Sequence, residues 1–153
     1  KSKIYFLNSI RNYVKNTPNC NPDRFADVIC DQLGFQEITS SDDPLDKKMN
    51  WNQVYKANSS ELIIIGGHTH SHHILSYLNK KQLANEIDTS LELLNKKAGV
   101  KPTHYSYPEG LEHCYSENVI IELKKRGVLC CPTAIHGFNN IFDDLFHLKR
   151  VMI

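Results

Sequence analysis

The sequence lacks the features that mark membrane-spanning, disulfide-framed or nucleic-acid-binding proteins. Apolar runs such as Leu62 to Ile65 are far shorter than the ~20 residues of a membrane-spanning helix, and we expect no such segment. Five cysteines, an odd number without a CxxC pair, favour buried thiols over a disulfide framework, and weakly favour a reducing compartment. With 18 basic and 17 acidic residues there is no basic stripe for nucleic acid. Neither a signal peptide nor an initiator Met precedes Lys1, so we expect sequence upstream of it.

The pattern of apolar residues and capping signals predicts one α/β domain, which suits a length of 153 residues. Polar residues from Thr39 to Lys48 predict a loop. Helices are predicted at Ile4–Lys15, Asp23–Leu33, Asn50–Ala57, Asn79–Gly99 and Ser116–Arg126. Strands are predicted at Glu61–Ile65, Thr103–Tyr107 and Val128–Ala134. The alternation of strands and helices in the later part is typical of parallel βαβ units in a sheet or barrel.

Half of the eight histidines lie within six residues, directly after a predicted strand and a Gly-Gly bend: His68, His70, His72 and His73. Ligands bind at the carboxyl ends of strands in α/β folds, and neutral imidazole is a common ligand for zinc. Two ligand sets stay open here. One is His68 with His72, spaced HxxxH, and the other is His68, His70 and His73, which echoes the HxHxDH signature of metallo-β-lactamase-type hydrolases. The second set has His72 where that signature needs Asp, and it is the runner-up.

The histidine cluster and a later aromatic segment form a pair of motifs. Residues 68 to 72 read H-T-H-S-H, and residues 105 to 110 read Y-S-Y-P-E-G. They resemble the second motif, H-[ST]-x-x-H, and the third motif, in its F-A-Y-P-x-G form, of the polysaccharide deacetylase family (NodB homology domain, carbohydrate esterase family 4). His73 stands where that family usually has Pro. The resemblance covers about Asn50 to Ile153, including the helix between the motifs.

The resemblance implies a fold and an activity. The fold would be a partial irregular (β/α) barrel, with residues 1–153 as a single domain. In that domain 1–48 would be a variable helical region, and 49–153 would carry motifs two and three. The activity would be metal-dependent hydrolysis of a carbon–nitrogen, non-peptide bond, which removes acetyl groups from N-acetylated sugars of a polysaccharide or oligosaccharide. N- and O-deacetylation stay open, because the same metal–water chemistry serves both.

The resemblance also assigns roles to individual residues. His68 and His72 would hold a divalent metal, with zinc favoured. Glu109 and Tyr107 would be the catalytic residues: the backbone N–H of Glu109 would help to hold the tetrahedral oxyanion, and Tyr107 would shape the wall of the catalytic groove. The other residues of the third motif would contact the substrate: Tyr105, Pro108 and Gly110.

The first motif of that family, T-F-D-D-G, supplies a catalytic base and a metal ligand and has no counterpart here. Asp42-Asp43 and Asp143-Asp144 are the nearest imitations, and both are better explained as turns. We therefore expect the chain to begin after the first motif, to bind metal poorly and to catalyse little by itself. A degenerate module that binds carbohydrate without catalysis is the second alternative.

Two further departures concern the third motif and the general acid. Ser106 replaces the Arg that many members of the family carry in the third motif to steady the base. His136 and His147 are the two candidates for the late histidine that serves as general acid. The compartment, cytoplasm or cell envelope, is left open, and the sequence does not indicate an oligomeric state.

Overall fold

A computed structural model describes residues 2–18, 20–35 and 41–151 of the chain. The chain divides into two units, Lys1–Lys48 and Met49–Ile153, which are described separately below. Among the described residues, no helix has the length and apolar character needed to cross a membrane. The organisation of residues 1–153 as one domain stays a prediction.

The first unit is built from two helices, α1 (Ser2–Asn16) and α2 (Pro22–Leu33), and a 3₁₀ turn at Pro44–Asp46. The Asn21 side chain accepts the Arg24 N–H at 3.0 Å, which caps α2 at the place where the Asn-Pro pair predicts its start. Both predicted helices are thus confirmed to within a residue or two. Neither helix has a buried residue. The predicted loop holds the 3₁₀ turn, and its first two positions, Thr39 and Ser40, lie outside the described residues.

The second unit has three helices, α3 (Trp51–Asn58), α4 (Lys80–Ala98) and α5 (Glu117–Lys125). Short 3₁₀ turns at Leu75–Tyr77 and Glu112–Cys114 precede α4 and α5. The capping boxes predicted for α3 and α4 are both present, each with two reciprocal hydrogen bonds of about 3 Å between an Asn and a Gln. These local signals therefore place the helices that flank the histidine cluster.

One apolar core lies within the second unit and joins α4 and α5 to the third motif. It contains Leu75, Leu83, Ile87, Tyr105, Tyr107, Val119, Ile120, Leu123, Val128, Cys131 and Phe146. The five cysteines are free thiols, and two of them, Cys114 and Cys131, are buried, as the odd count suggests. Two tyrosines of the third motif are thus core residues, and this burial fixes the backbone between them.

The three predicted strands are wrong as continuous strands. Adjacent segments meet instead in isolated parallel bridges, Gly67 with Tyr105 and His104 with Cys130, through hydrogen bonds such as Gly67 N–H to His104 O at 2.9 Å. The segment Glu61–Ile65 is not buried, since Leu62 is 94% exposed and Ile64 is 76% exposed. Nothing in the described part of the chain pairs with that segment as a strand, so its apolar side chains remain at the surface.

The α4 capping box provides a test of how this helix is stabilised. We expect Asn79→Ala to lower the free energy of unfolding by about 1 kcal/mol, because the Gln82 N–H loses its side-chain acceptor. The matched control is Asn85→Ala, at an exposed position inside the same helix. That control should be neutral or stabilising by a few tenths of a kcal/mol, because alanine is the better helix former. Equal urea midpoints for the two variants would contradict the prediction.

Candidate functional site

The histidine segment, residues 68 to 73, brings two of its imidazoles together. The rings of His68 and His72 meet edge to face, with their centroids 4.8 Å apart. His68 Nδ1 lies 2.9 Å from the Ser106 carbonyl oxygen and 2.8 Å from the Ser106 hydroxyl. Because a carbonyl can only accept, His68 carries its proton on Nδ1 and presents the lone pair of Nε2. This is the arrangement that orients a metal-binding histidine.

Backbone conformations that L-residues rarely adopt are concentrated in the two motifs. Within the described part of the chain, the non-glycine residues with positive φ are Thr69 (64°), His72 (56°) and Glu109 (60°). A β-branched residue such as Thr69 is a clear outlier in this region. Such conformations cost on the order of 1–3 kcal/mol each and persist where the surroundings enforce them, often at functional sites.

Tyr105, a residue of the core, holds the start of the histidine segment. Its ring is 2% exposed, and its hydroxyl accepts the Thr69 N–H at 2.7 Å and lies 3.0 Å from Ser90 Oγ. The Ser90 hydroxyl itself donates to a carbonyl of α4 at 2.8 Å, so the Tyr105 hydroxyl donates to Ser90. Burial raises the pKa of Tyr105 to about 12, which keeps this proton in place at neutral pH.

Glu86 on α4 fixes the middle of the same segment. Its carboxylate is buried, with the residue 6% exposed, and one oxygen accepts the N–H of His70 at 2.9 Å and that of Ser71. The other oxygen lies 3.7 Å from His73 Nδ1. Three consecutive N–H groups of the segment are thus held by two buried side chains.

The third motif forms a tight turn. The Gly110 N–H donates to the Pro108 carbonyl at 2.7 Å, which closes a three-residue turn around Glu109. Gly110 has a φ of 64°, and a Cβ there would lie 2.7 Å from the Ala134 backbone nitrogen, so this position needs glycine. The Ala134 N–H donates to the Gly110 carbonyl at 2.8 Å and anchors the turn. Pro108 and Gly110 are buried, whereas Glu109 is half-buried.

An aromatic stack connects the third motif to the late histidine. The Tyr107 hydroxyl donates to the Phe146 carbonyl at 3.1 Å, and its ring stacks on Tyr115 at 4.4 Å. Tyr115 in turn meets the edge of the His147 ring. Burial raises the pKa of Tyr107 far above its ordinary value, so its hydroxyl is a structural donor at neutral pH.

His147 has a carboxylate partner beside this stack. Its Nδ1 lies 2.9 Å from Asp144 Oδ2, and both side chains are about half exposed. The Phe146 N–H, and after it His147, hold the pKa of Asp144 below its ordinary value. Of the two late candidates, His147 thus lies beside the third motif in an imidazole–carboxylate pair, and His136 is exposed as His147 is.

The aspartate pairs serve turns, as the sequence suggests. Asp43 accepts the Leu45 N–H at 2.9 Å, Asp143 accepts the Asn140 N–H at 2.9 Å and Asp144 accepts the Phe146 N–H at 3.0 Å. Across residues 2–18, 20–35 and 41–151, no three His, Cys, Asp or Glu side chains are placed to hold a metal ion together. The runner-up set His68, His70 and His73 is therefore not assembled, while His68 and His72 are paired.

Sequence reasoning missed the residues that support the histidine segment. Ser106 stood out only as a replacement for Arg, whereas its carbonyl and hydroxyl hold His68. Glu86 lies inside the predicted helix Asn79–Gly99, and that prediction does not single it out. The available signal was its position, because it lies three residues after Leu83 and beside Ile87 on the apolar stripe of α4, where an acid is unusual.

Comparisons with known proteins agree on one family. A family model described as polysaccharide deacetylase matches residues 36–130. A deacetylase of Streptococcus pyogenes, PplD, solved with acetate, superposes with a TM-score of 0.62 at 17% identity, covering 72% of this chain and 47% of that one. The deacetylase domain of BpsB from Bordetella bronchiseptica gives 0.60 at 18% identity, covering 74% and 52%.

A third solved structure and the curated proteins complete the comparison. A de-N-acetylase from Aggregatibacter actinomycetemcomitans gives a TM-score of 0.56 at 18% identity, covering 84% of this chain and 64% of that one. No curated protein sequence matches. The chain spans about half the length of the first two solved structures. At these identities the likeness concerns the fold alone.

Proposed function

We propose, because this chain belongs to the polysaccharide deacetylase family, that it carries part of the active site of a metal-dependent hydrolase. The proposed reaction removes the acetyl group from an N-acetylated sugar of a polysaccharide or oligosaccharide. Each turnover consumes one water, breaks the amide C–N bond, and releases acetate and the free sugar amine. We also propose that the second unit is part of an irregular (β/α) barrel, for which the parallel bridges are the support.

The single observation that carries this proposal is the pairing of His68 and His72. Their rings are 4.8 Å apart, and His68 is oriented by Ser106 with Nε2 available. Two imidazoles on one strained segment suit zinc and related divalent metals, which bind the neutral form of the ring. The donor set fits two positions of such a site, and a third protein ligand is not among the described residues. When bound, the metal would polarise the acyl carbonyl and promote the ionisation of water.

The chain's own residues would then position the substrate and stabilise charge. The Glu109 amide, in its tight turn, would donate to the developing oxyanion. Tyr107 and Pro108, both buried, would form the rigid wall of the groove. Tyr105, Pro108 and Gly110, the three residues predicted to contact substrate, are all buried, which favours indirect parts: Pro108 in the wall, and Tyr105 and Gly110 in holding the two motifs in place.

His147 is the better candidate for the proton donor to the departing amine. Asp144 accepts from Nδ1 at 2.9 Å, so Nε2 is the nitrogen available for proton transfer. We propose His147 for this role.

Acetate release from N-acetylglucosamine oligomers tests the proposed reaction. Incubated with zinc, the protein that carries this chain should release acetate and free amine in equal amounts, and His68→Ala should remove this activity. If acetate were released only from O-acetylated sugars, without new amine, the bond that the protein hydrolyses would be an ester and not an amide. Correctly folded protein that releases no more acetate than the His68→Ala variant would overturn the proposal and favour a carbohydrate-binding module.

A further inference from the structure

We propose that Glu86 is a positioning residue for the histidine pair, and that its buried carboxylate sets the backbone of the segment that carries His68 and His72. The inference rests on the proposed function, because it concerns the metal-binding pair of that site. It adds a residue from outside both motifs. Glu86 lies on α4 and would not touch the metal or the substrate.

The carboxylate of Glu86 makes its hydrogen bonds to the backbone between the two histidines. One oxygen of Glu86 accepts the N–H groups of His70 and Ser71, which are two of the three residues between the paired histidines. Successive backbone N–H groups form a natural anion-binding concavity, and here a side chain of the same protein fills it. Hydrogen bonds to an ionised acceptor are about twice as strong as those between neutral groups. Glu86 therefore acts directly on the link between the histidines.

The link between the two histidines is also strained. Thr69 and His72 both have positive φ, and they flank the two residues whose N–H groups Glu86 holds. Without the carboxylate, the segment could relax towards ordinary φ values, which would rotate His72 away from His68. The Tyr105 hydroxyl holds only the Thr69 N–H, so it cannot replace Glu86.

Glu86 occupies a core position, which is unusual for an acid. The residue is 6% exposed and follows Leu83 by one helical turn, on the face of α4 that packs into the core. Burying a carboxylate costs free energy unless its acceptors are satisfied. Its one nearby basic group, within the described residues, is His73 at 3.7 Å, so backbone N–H groups provide most of the compensation. An acidic side chain at a core position is explained if its role is to hold the backbone of the histidine segment.

The same helix offers a matched control. Asp88 on α4 also makes strong side-chain contacts, but its partner is Arg126, at 2.5 Å and 3.0 Å, and not the histidine segment. Asp88→Asn should therefore affect the helix and leave the histidines unchanged. Glu86→Gln is nearly isosteric and replaces the carboxylate oxygen that accepts both N–H groups by a neutral amide oxygen, so it weakens these hydrogen bonds with little change in volume.

The experiment compares Glu86→Gln with Asp88→Asn by two measurements on folded protein. In metal-free protein, long-range ¹H–¹⁵N spectra should show the His68 ring in one tautomer, protonated on Nδ1, for the wild type and Asp88→Asn. In Glu86→Gln the His68 and His72 signals should shift and average between tautomers. Zinc affinity, from competition with a chromophoric chelator, should fall about 10- to 100-fold in Glu86→Gln and less than about twofold in Asp88→Asn.

Each outcome decides the proposal. Ring spectra and zinc affinity that are unchanged in Glu86→Gln would overturn it, and so would an equal effect of Asp88→Asn. If Glu86→Gln does not fold, Glu86→Asp keeps the charge but withdraws the oxygen, and the same two measurements apply to it. A wild type without zinc affinity would count against the proposed metal pair, and the ring spectra would then decide on Glu86 alone.

Discussion

Alanine at His68 or His72 should lower the zinc affinity of this chain at least about 100-fold, beyond the 10- to 100-fold that supporting residues cost. Alanine at His70, an exposed residue of the same segment, should change it less than about threefold. The measurement is calorimetric titration with zinc, combined with the metal content of dialysed protein. His70→Ala is the matched control, because it removes an imidazole two residues away from each of the paired histidines.

The reason for the large effect is that the site has few ligands to lose. His68 and His72 are the paired imidazoles, and catalytic zinc sites use three protein ligands. A site with two such ligands binds weakly, and removing either leaves a single imidazole. Ser106→Ala should be milder, because the Ser106 carbonyl still accepts from His68 Nδ1 when the hydroxyl is lost.

Other outcomes of this titration identify other sites. Loss of zinc with His70→Ala and His73→Ala, but not with His72→Ala, would support the metallo-β-lactamase-like set of His68, His70 and His73. If the single alanine variants at all four histidines of the segment bound zinc as tightly as the wild type does, the histidine segment would be excluded as the zinc site. No zinc binding by the wild type would count against the proposed metal pair in this chain.

Much of this architecture is local and could be predicted from the sequence. The start of α2 and the capping boxes of α3 and α4 depend on residues three apart, so reading neighbours is sufficient. The pairing of His68 with His72 also follows from a local motif, H-x-x-x-H. The link between that motif and residues 105 to 110 came from the family resemblance, because it joins positions 38 residues apart.

The strands and the supporting residues depend on partners that are distant in the sequence. The apolar segment Glu61–Ile65 reads as a buried strand, but burial needs a neighbour, and in the structure Leu62 is almost fully exposed. In the sequence, Glu86 does not differ from the other acidic residues of a helix. Its hydrogen-bond partners lie 15 and 16 residues earlier, and only the folded structure brings them to its carboxylate. Periodicity identifies a face of a helix, and only the fold shows what that face meets.

Gly67→Ala should lower the free energy of unfolding by about 3 kcal/mol, at the upper end of what overpacking usually costs. A Cβ at Gly67 would lie 2.3 Å from two carbons of the Tyr105 ring, and this ring is 2% exposed inside the core. An aromatic ring cannot bend away as a flexible side chain can, so the backbone or the whole ring must move. Urea unfolding followed by circular dichroism measures the effect.

The matched control is the neighbouring glycine. A Cβ at Gly66 would lie 3.1 Å from the His104 carbonyl oxygen, a contact that a shift of a few tenths of an ångström relieves. Gly66→Ala should therefore cost about 1 kcal/mol or less.

The displacement of the Tyr105 ring in Gly67→Ala should also reach the site, because the Tyr105 hydroxyl holds the Thr69 N–H beside His68. If the Gly67→Ala variant still folds, its zinc affinity should fall together with its stability, whereas the Gly66→Ala variant should keep the zinc affinity of the wild type. Equal unfolding free energies for the two variants would show that the Tyr105 ring yields, and would contradict the rigid contact between the motifs.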